Sequence, residues 1–436
     1  MELINHPLTY ARMLRGWSLD ELAKQIRRAA ARRGLRSGTD RQRVWKWEHK
    51  ISTPGTESQI LIAEAFEVPE SLLRECPWPR WLSGHDAPLP LGSAYTVQAL
   101  REAHGTAMDR RSFTAYSGLA LVGLAAQWAG LEPGRLVTAL GGKTVDTDLV
   151  TWLEETSAKL AGLPTEQRQH TATLLDAHLS TVTDLIDHGR YTQATGTRLH
   201  NLAAVLAVTC AWYRFDQGQQ AAAGRLWDAA LHSAHAAGNR DLGAGVVGDL
   251  AYQATWLEDS QTSVDLLDHA LSRAQHPAAR SLLHLRKARA HAALNEAAQC
   301  YRHLNASETA LNAYSSDPAP AWCSWMSTAD WSVDSGGCLL DLGQLDQAHR
   351  HIAEGLNLLP RARDKTRSVF LVYQARGFLT SGDVDQALAA TTESLDLADR
   401  IGAERCVALV RGLEPAFSQR QTVQGVTEFM ERLRAS

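Results

Sequence analysis

Apolar residues recur at three- and four-residue intervals along almost the whole chain, with no sustained alternation of apolar and polar positions, so the pattern predicts helices throughout. Leu8, Ala11 and Leu14 share one face of a first segment, Leu8–Arg15. Ser18 followed by Glu21 has the form of a capping box, so a second helix starts near Leu19 and carries Leu22, Ala23 and Ile26. Gly34 and Gly38 break it. Thr39 or Asp40 caps a third helix bearing Val44, Trp45 and Trp47, and the two tryptophans are expected in the core and as a brace. A fourth helix, Glu57–Phe66, contributes Ile60, Leu61, Ala63 and Phe66.

Pro77, Pro79, Pro88 and Pro90, with Gly84 and Gly92, then mark a semi-rigid linker over 83–93, its first half pinned back by Trp78 and Trp81. Beyond it the helices come in pairs. Leu342-Gly343-Gln344-Leu345-Asp346-Gln347-Ala348 is echoed 39 residues later by Ser381-Gly382-Asp383-Val384-Asp385-Gln386-Ala387. Earlier copies turn at 218, 258 and 295, giving steps of 40, 37, 48 and 39. Such a period predicts an α-solenoid of helical hairpins, each too small to stand alone. The expected organisation is all-α: an N-terminal domain over 1–82, the linker, a helical connecting region and candidate dimerisation segment over 94–199, and the array over 200–436.

Charge changes this picture only when it is divided. The chain's 436 residues carry 44 Lys+Arg and 48 Asp+Glu, a net −4 that argues against a nucleic-acid binder. Residues 1–82 alone hold 14 basic and 10 acidic groups, leaving −8 on the remainder, and 10–50 hold 12 against 4. A small basic module on an acidic body is a footprint of nucleic-acid binding. The start has no export signal. Asp109-Arg110-Arg111-Ser112-Phe113 imitates a twin-arginine signal but lies too far into the chain, and the Leu119–Ala129 run is too short to span a bilayer. Cysteines 76, 210, 300, 323, 338 and 406 form no CxxC pair and read as reduced core thiols of a cytoplasmic protein.

Leu14-Arg15-Gly16-Trp17-Ser18-Leu19-Asp20-Glu21-Leu22-Ala23, then Val44-Trp45-Lys46-Trp47-Glu48, Thr53-Pro54-Gly55 and Leu61–Val68, resemble the XRE (phage-repressor/Cro-like) helix-turn-helix family. The resemblance implies that the third helix reads the major groove of double-stranded DNA and that Glu48 braces the fold. Arg41, Gln42 and Lys46 then take the base-reading positions, Arg43 lies beside the backbone, and Ser18 offers its hydroxyl and N–H to a phosphate. Ala23 and Val44 are 21 residues apart where the family has about ten, which implies a longer second helix and turn. The extra stretch holds Arg27, Arg28, Arg32, Arg33 and Arg36, expected to neutralise phosphates.

The array resembles tetratricopeptide repeats, with a turn glycine, a small residue five later and a large one four beyond, best seen in Gly218, Ala223 and Trp227. The resemblance implies a concave groove lined by the first helix of each pair. Counting back from the turns puts Trp212, Tyr252, Arg289, Asp330 and Arg376 there as candidate contacts for a peptide, small molecule or protein. Trp322, Trp325 and Trp331 are expected to form a hydrophobic seam. The combination is similar to the peptide-responsive regulators of the PlcR and PrgX type, and implies a homodimer whose paired heads read a palindromic operator. The rival reading is a repeat adaptor without specific DNA binding.

Catalytic readings fail on their motifs. Gly141-Gly142-Lys143-Thr144 lacks the upstream glycine of a phosphate-binding loop, Gly238–Gly245 is no dinucleotide loop, and His232/His235 and His349/His351 lack a metalloprotease context. No enzyme activity, metal or cofactor is expected.

Overall fold

The computed structural model describes residues 7–14, 17–49, 51–66, 73, 78, 79, 88–108, 116, 118–132, 144–161, 163, 165–313 and 315–435. Cys76, Trp81, the 109–113 motif and Gly141–Lys143 lie outside the described residues. The regular elements among those described are all helices, joined by one isolated bridge between Thr144 and Arg190. No described helix is long and apolar enough to cross a membrane. The chain divides into two compact units, Met1–Pro90 and Leu91–Ser436.

The first unit holds α1 (Pro7–Leu14), α2 (Leu19–Arg32), α3 (Arg41–Glu48) and α4 (Thr56–Ala65). Ser18 caps α2 by accepting from the Glu21 N–H at 3.1 Å. The reciprocal arm of the expected box is absent: the Glu21 carboxylate accepts instead from Gln25 and Lys24 further along the helix. Asp40, not Thr39, caps α3, accepting from the Arg43 N–H at 2.8 Å. The surplus residues between Ala23 and Val44 are spent on a 14-residue α2 and on a turn that starts at left-handed Gly34. Leu8, Leu22, Ile26, Val44, Trp47, Ile62 and Phe66 make the core, with Trp78 packed against it. Trp45 corrects the expectation. It is exposed and stacks on His49 at 4.2 Å.

The second unit begins with α5 (Ser93–Met108), α6 (Gly118–Gly130), α7 (Thr147–Ala161) and α8 (Thr165–His188). Five hairpins follow: α9 (Gln193–Asp216) with α10 (Gln220–Ala236), α11 (Arg240–Trp256) with α12 (Ser260–Arg273), α13 (Pro277–Ala293) with α14 (Ala297–Leu311), α15 (Thr328–Asp341) with α16 (Leu345–Leu358), and α17 (Asp364–Ser381) with α18 (Val384–Ile401). Short helices α19 (Glu404–Arg411), α20 (Glu414–Ser418) and α21 (Val426–Ala435) close the chain. The 94–199 region is not a separate connector: α5 lies along α10, α6 along α12, and α8 along α9.

Each hairpin reverses at one left-handed residue: Gly218, Glu258, Asn295, Gly343 and Gly382, with φ of 72°, 63°, 58°, 74° and 85°. These are the five turn positions read from the sequence. A left-handed residue just past a helix end satisfies its last carbonyls and turns the chain back. Counted from these turns, positions fourteen before and twelve after are small in every pair: Ala204/Ala230, Ala244/Ala270, Ser281/Ser307, Ala329/Gly355 and Ser368/Ser394. Small residues there let the two helix backbones approach. A Cβ on Gly355 would come within 2.6 Å of the Ala329 carbonyl oxygen. Where serines take these places, each hydroxyl donates to the other's carbonyl, Ser281 to Ser307 and back at 2.8 Å, and Ser368 to Ser394 and back at 3.0 and 2.9 Å.

The long step of 48 comes from the segment 312–327 between α14 and α15. Its Trp322 seats on Gly245 of α11, where a Cβ would lie 2.6 Å from the indole. Trp325 is exposed, and Trp331 packs with Cys300, Cys338 and Met326. The three tryptophans therefore occupy separate places rather than one seam.

Candidate functional site

Two groupings of chemistry stand out, one in each unit. In the first, the inner side of α3 is locked and the outer side is free. Glu48, 5% exposed, accepts from Arg12 Nε at 2.7 Å and Nη2 at 3.0 Å, while Arg12 Nη1 donates to the Trp17 carbonyl at 2.9 Å. This ties α1, the α1–α2 turn and α3 together. Val44 and Trp47 sink into the core. Arg41, Gln42, Arg43, Trp45 and Lys46 are left exposed on the opposite side.

The start of α2 lies beside this face. Arg41 Nη1 is 3.8 Å from Asp20 Oδ2, and Asp20, Asp40, Arg41, Gln42 and Trp45 line a shallow open depression. Ser18, exposed, is two residues from Asp20. The sequence reading did not single out Asp20. With Asp40, its exposed carboxylate puts negative charge on a largely basic face.

The arginines of the longer segment divide. Arg28 and Arg36 are exposed. Arg27 Nη1 donates to the Thr39 carbonyl at 2.6 Å and so holds the turn before α3. Arg32 and Arg33 both close on Glu64 of α4, Arg32 Nε at 2.9 Å, and together they depress the Glu64 pKa through hydrogen bonds. They sit at the far end of α2, about 20 Å from Ser18 at 1.5 Å per residue.

In the second unit, the first helices of the hairpins bring polar and aromatic side chains into one interior. Of the groove candidates, Trp212 donates from Nε1 to Asp249 at 3.0 Å and meets Tyr252 at 5.6 Å between rings. Arg289 lies over Tyr373 at 4.8 Å and 3.7 Å from Asp334. Arg376 pairs with Asp341. These candidates stand six residues before their turns. Asp330 does not belong with them, because it stands thirteen before its own. It closes a capping box with Ser327 at the start of α15 and accepts two bonds from Arg363 at 2.8 Å. The residue six before Gly343 is Gly337, over which the Arg289 guanidinium is folded.

Sequence reasoning missed a second row one helical turn earlier, nine residues before the last four turns: Asp249, Arg286, Asp334 and Tyr373. Arg286 donates to Asp249 at 2.9 Å. Burial pushes the Asp249 and Asp334 carboxyls up, against the pull of Arg286 and Arg289. Burial also raises the Tyr373 phenol to about 12. The spacing of nine was there to be read, since a row three residues from another lies on the same helix face.

The interior is bridged from first hairpin to last. Arg405 of α19 donates to the Tyr252 hydroxyl, pairs with Asp216 of α9 at 3.5 Å, and is ringed by Phe215, Tyr252 and Trp256 at 5.1, 5.4 and 5.1 Å. Lys365 of α17 also closes on Asp216. An arginine desolvated among aromatic faces gains cation–π attraction in place of hydration.

Residues 11–69 match the family model described as the SP15 N-terminal domain, a stretch that runs from α1 to beyond α4. No curated protein matches the chain.

Proposed function

We propose that the chain is a sequence-specific DNA-binding transcriptional regulator whose helical array senses a signal. The observation that carries this is the sidedness of α3. A short helix is clamped from within by Glu48, Trp47 and Val44, while Arg41, Gln42, Arg43, Trp45 and Lys46 project together from its open side. The pattern fits an XRE-type head that lays α3 in the major groove. Arg41 would fork onto guanine and Gln42 onto adenine, with Trp45 against thymine methyls. Ser18, at the positive end of α2, would meet a phosphate, with Arg43 and Lys46 as further contacts. The second unit would act as a tetratricopeptide-like sensor for a peptide, small molecule or protein. A cytoplasmic homodimer would place two heads on a palindromic operator.

Selection of genomic fragments on the full chain tests this. A recurrent motif is the expected result, and sequence-blind retention defeats the proposal. Arg41→Ala should relax preference at one base position, losing about 1–3 kcal/mol of discrimination. Asp20→Asn should tighten binding to all sequences alike, because it removes a carboxylate from beside the phosphates.

A further inference from the structure

Arg289 stands apart from the other interior cations. Arg286 is hydrogen-bonded to Asp249, Arg405 to Tyr252 and Asp216, and Lys365 to Asp216. Arg289 makes no hydrogen bond to any described group; its nearest carboxylate oxygen, on Asp334, is 3.7 Å away. A guanidinium has five N–H donors, and leaving them unmet inside a fold is costly unless another partner arrives. The face of Tyr373 at 4.8 Å offsets only part of that cost.

The site is not sealed. Nη1 itself is buried, but the side chains of Arg289 and Asp334 as a whole keep 20% and 32% of their surface among the helices of the interior. Room for the guanidinium is made by Gly337. Its place in the repeat is filled by Trp212, Tyr252 and Arg376 in other hairpins, and here a Cβ would collide with Arg289 Nη1. Asp334, its oxygen 3.7 Å from Nη1, is the carboxylate with which an incoming anion would compete for the fork.

We propose that this interior binds a small anionic molecule, its carboxylate or phosphate held by the fork of Arg289 and its apolar or aromatic body lying against Tyr373. A planar fork suits either anion. The aromatic neighbour suits a flat or apolar body, because the wall it offers is apolar with a polar tip. The bridges from Arg405 and Lys365 to Asp216 and Tyr252 cross this interior, which favours a compact ligand over a helix or an extended chain. The inference rests on the reading of the second unit as the sensor and names the chemistry that it senses.

Calorimetry and thermal denaturation of the full chain with 3-phenylpropionate, phenyl phosphate and neutral 3-phenylpropanamide test it. At least one anion should bind and raise the melting temperature, with the amide weaker by about tenfold or more. The two anions separate a carboxylate site from a phosphate site. Arg289→Gln should cost about tenfold or more, Arg289→Lys less, and Asp334→Asn should tighten anion binding several-fold by removing the competing carboxylate. Should Arg289→Gln fail to fold, the Asp334→Asn gain decides. Equal binding of amide and anions, unchanged binding in Arg289→Gln, no gain in Asp334→Asn, or no anionic probe bound at millimolar concentration overturns the proposal. Specific DNA retention without anion binding overturns the anion site alone; anion binding without DNA retention overturns the regulator reading alone.

Discussion

Glu48 shows how much one side chain organises in a small helical unit. Its buried carboxylate accepts two bonds from Arg12, whose third donor reaches the Trp17 carbonyl, so three segments meet at one pair. Removing one partner of a buried pair leaves the other charge unmet, so Glu48→Ala should destabilise the first unit by about 3 kcal/mol. Faster hydrogen exchange of the α1 and α3 amides in the full chain would register it. Arg32→Ala, which loses an exposed pair with Glu64, should change exchange by less than about 1 kcal/mol. The Glu48 brace was legible because the local motif carried it. Trp45 was not, because two tryptophans two positions apart look alike as apolar residues, yet at 100° per residue they face roughly opposite sides of a helix. Asp330 was misplaced because the count back from Gly343 ran to thirteen residues where the other hairpins take six, whereas its spacing from Ser327 already spelled a cap.

At the scale of the element, the hairpin is defined by its turn and by the small pair that lets its helices close. The turns were fully legible, since glycine, and the Glu258 and Asn295 that replace it, interrupt the apolar rhythm at a recurring place. The small pairs were not, because alanine and serine occur throughout and only the observed turn residue supplies the origin for counting. Glu258 pays for its left-handed backbone, so Glu258→Gly should raise stability by about 1 kcal/mol, read as an upward shift of the denaturant midpoint. Gly355→Ala should do the opposite, by about 1–3 kcal/mol, because α16 cannot keep its distance from Ala329 and Val333.

For the whole molecule, burial of imidazoles sets the response to acid. Desolvation lowers His200, His284 and His303 to about 4 from an ordinary 6.5, with Arg280 and Lys287 adding to it at His284, and Lys287 at His303. The unfolded chain therefore binds more protons than the folded one below about 6.5, and stability is lost as pH falls from there toward about 4. Asp228, buried and hydrogen-bonded by Tyr116, is raised to about 7 from 3.8 by desolvation, and acts in the opposite sense: its contribution is full below about 3.8 and is lost as pH rises through about 7. Asp249 and Asp334, also raised by burial, act with Asp228, and His235, also lowered by burial, acts with the other imidazoles. With the imidazoles dominant, the denaturant midpoint of the second unit should fall from pH about 6.5 to about 4. A flat profile would contradict these burials.

The bridge at Asp216 has a kinetic corollary. In an open repeat array each unit feels only its neighbours, and such a chain frays from an end. Here a carboxylate in the first hairpin holds Lys365, 149 residues downstream, and Arg405, 189 downstream. Contacts of that sequence separation form late in folding, because the loop between them must first be closed. The same contacts make terminal unravelling cooperative: α19 cannot leave without releasing α9 and emptying the aromatic ring around Arg405. The array should therefore open as a ring does, at its clasp.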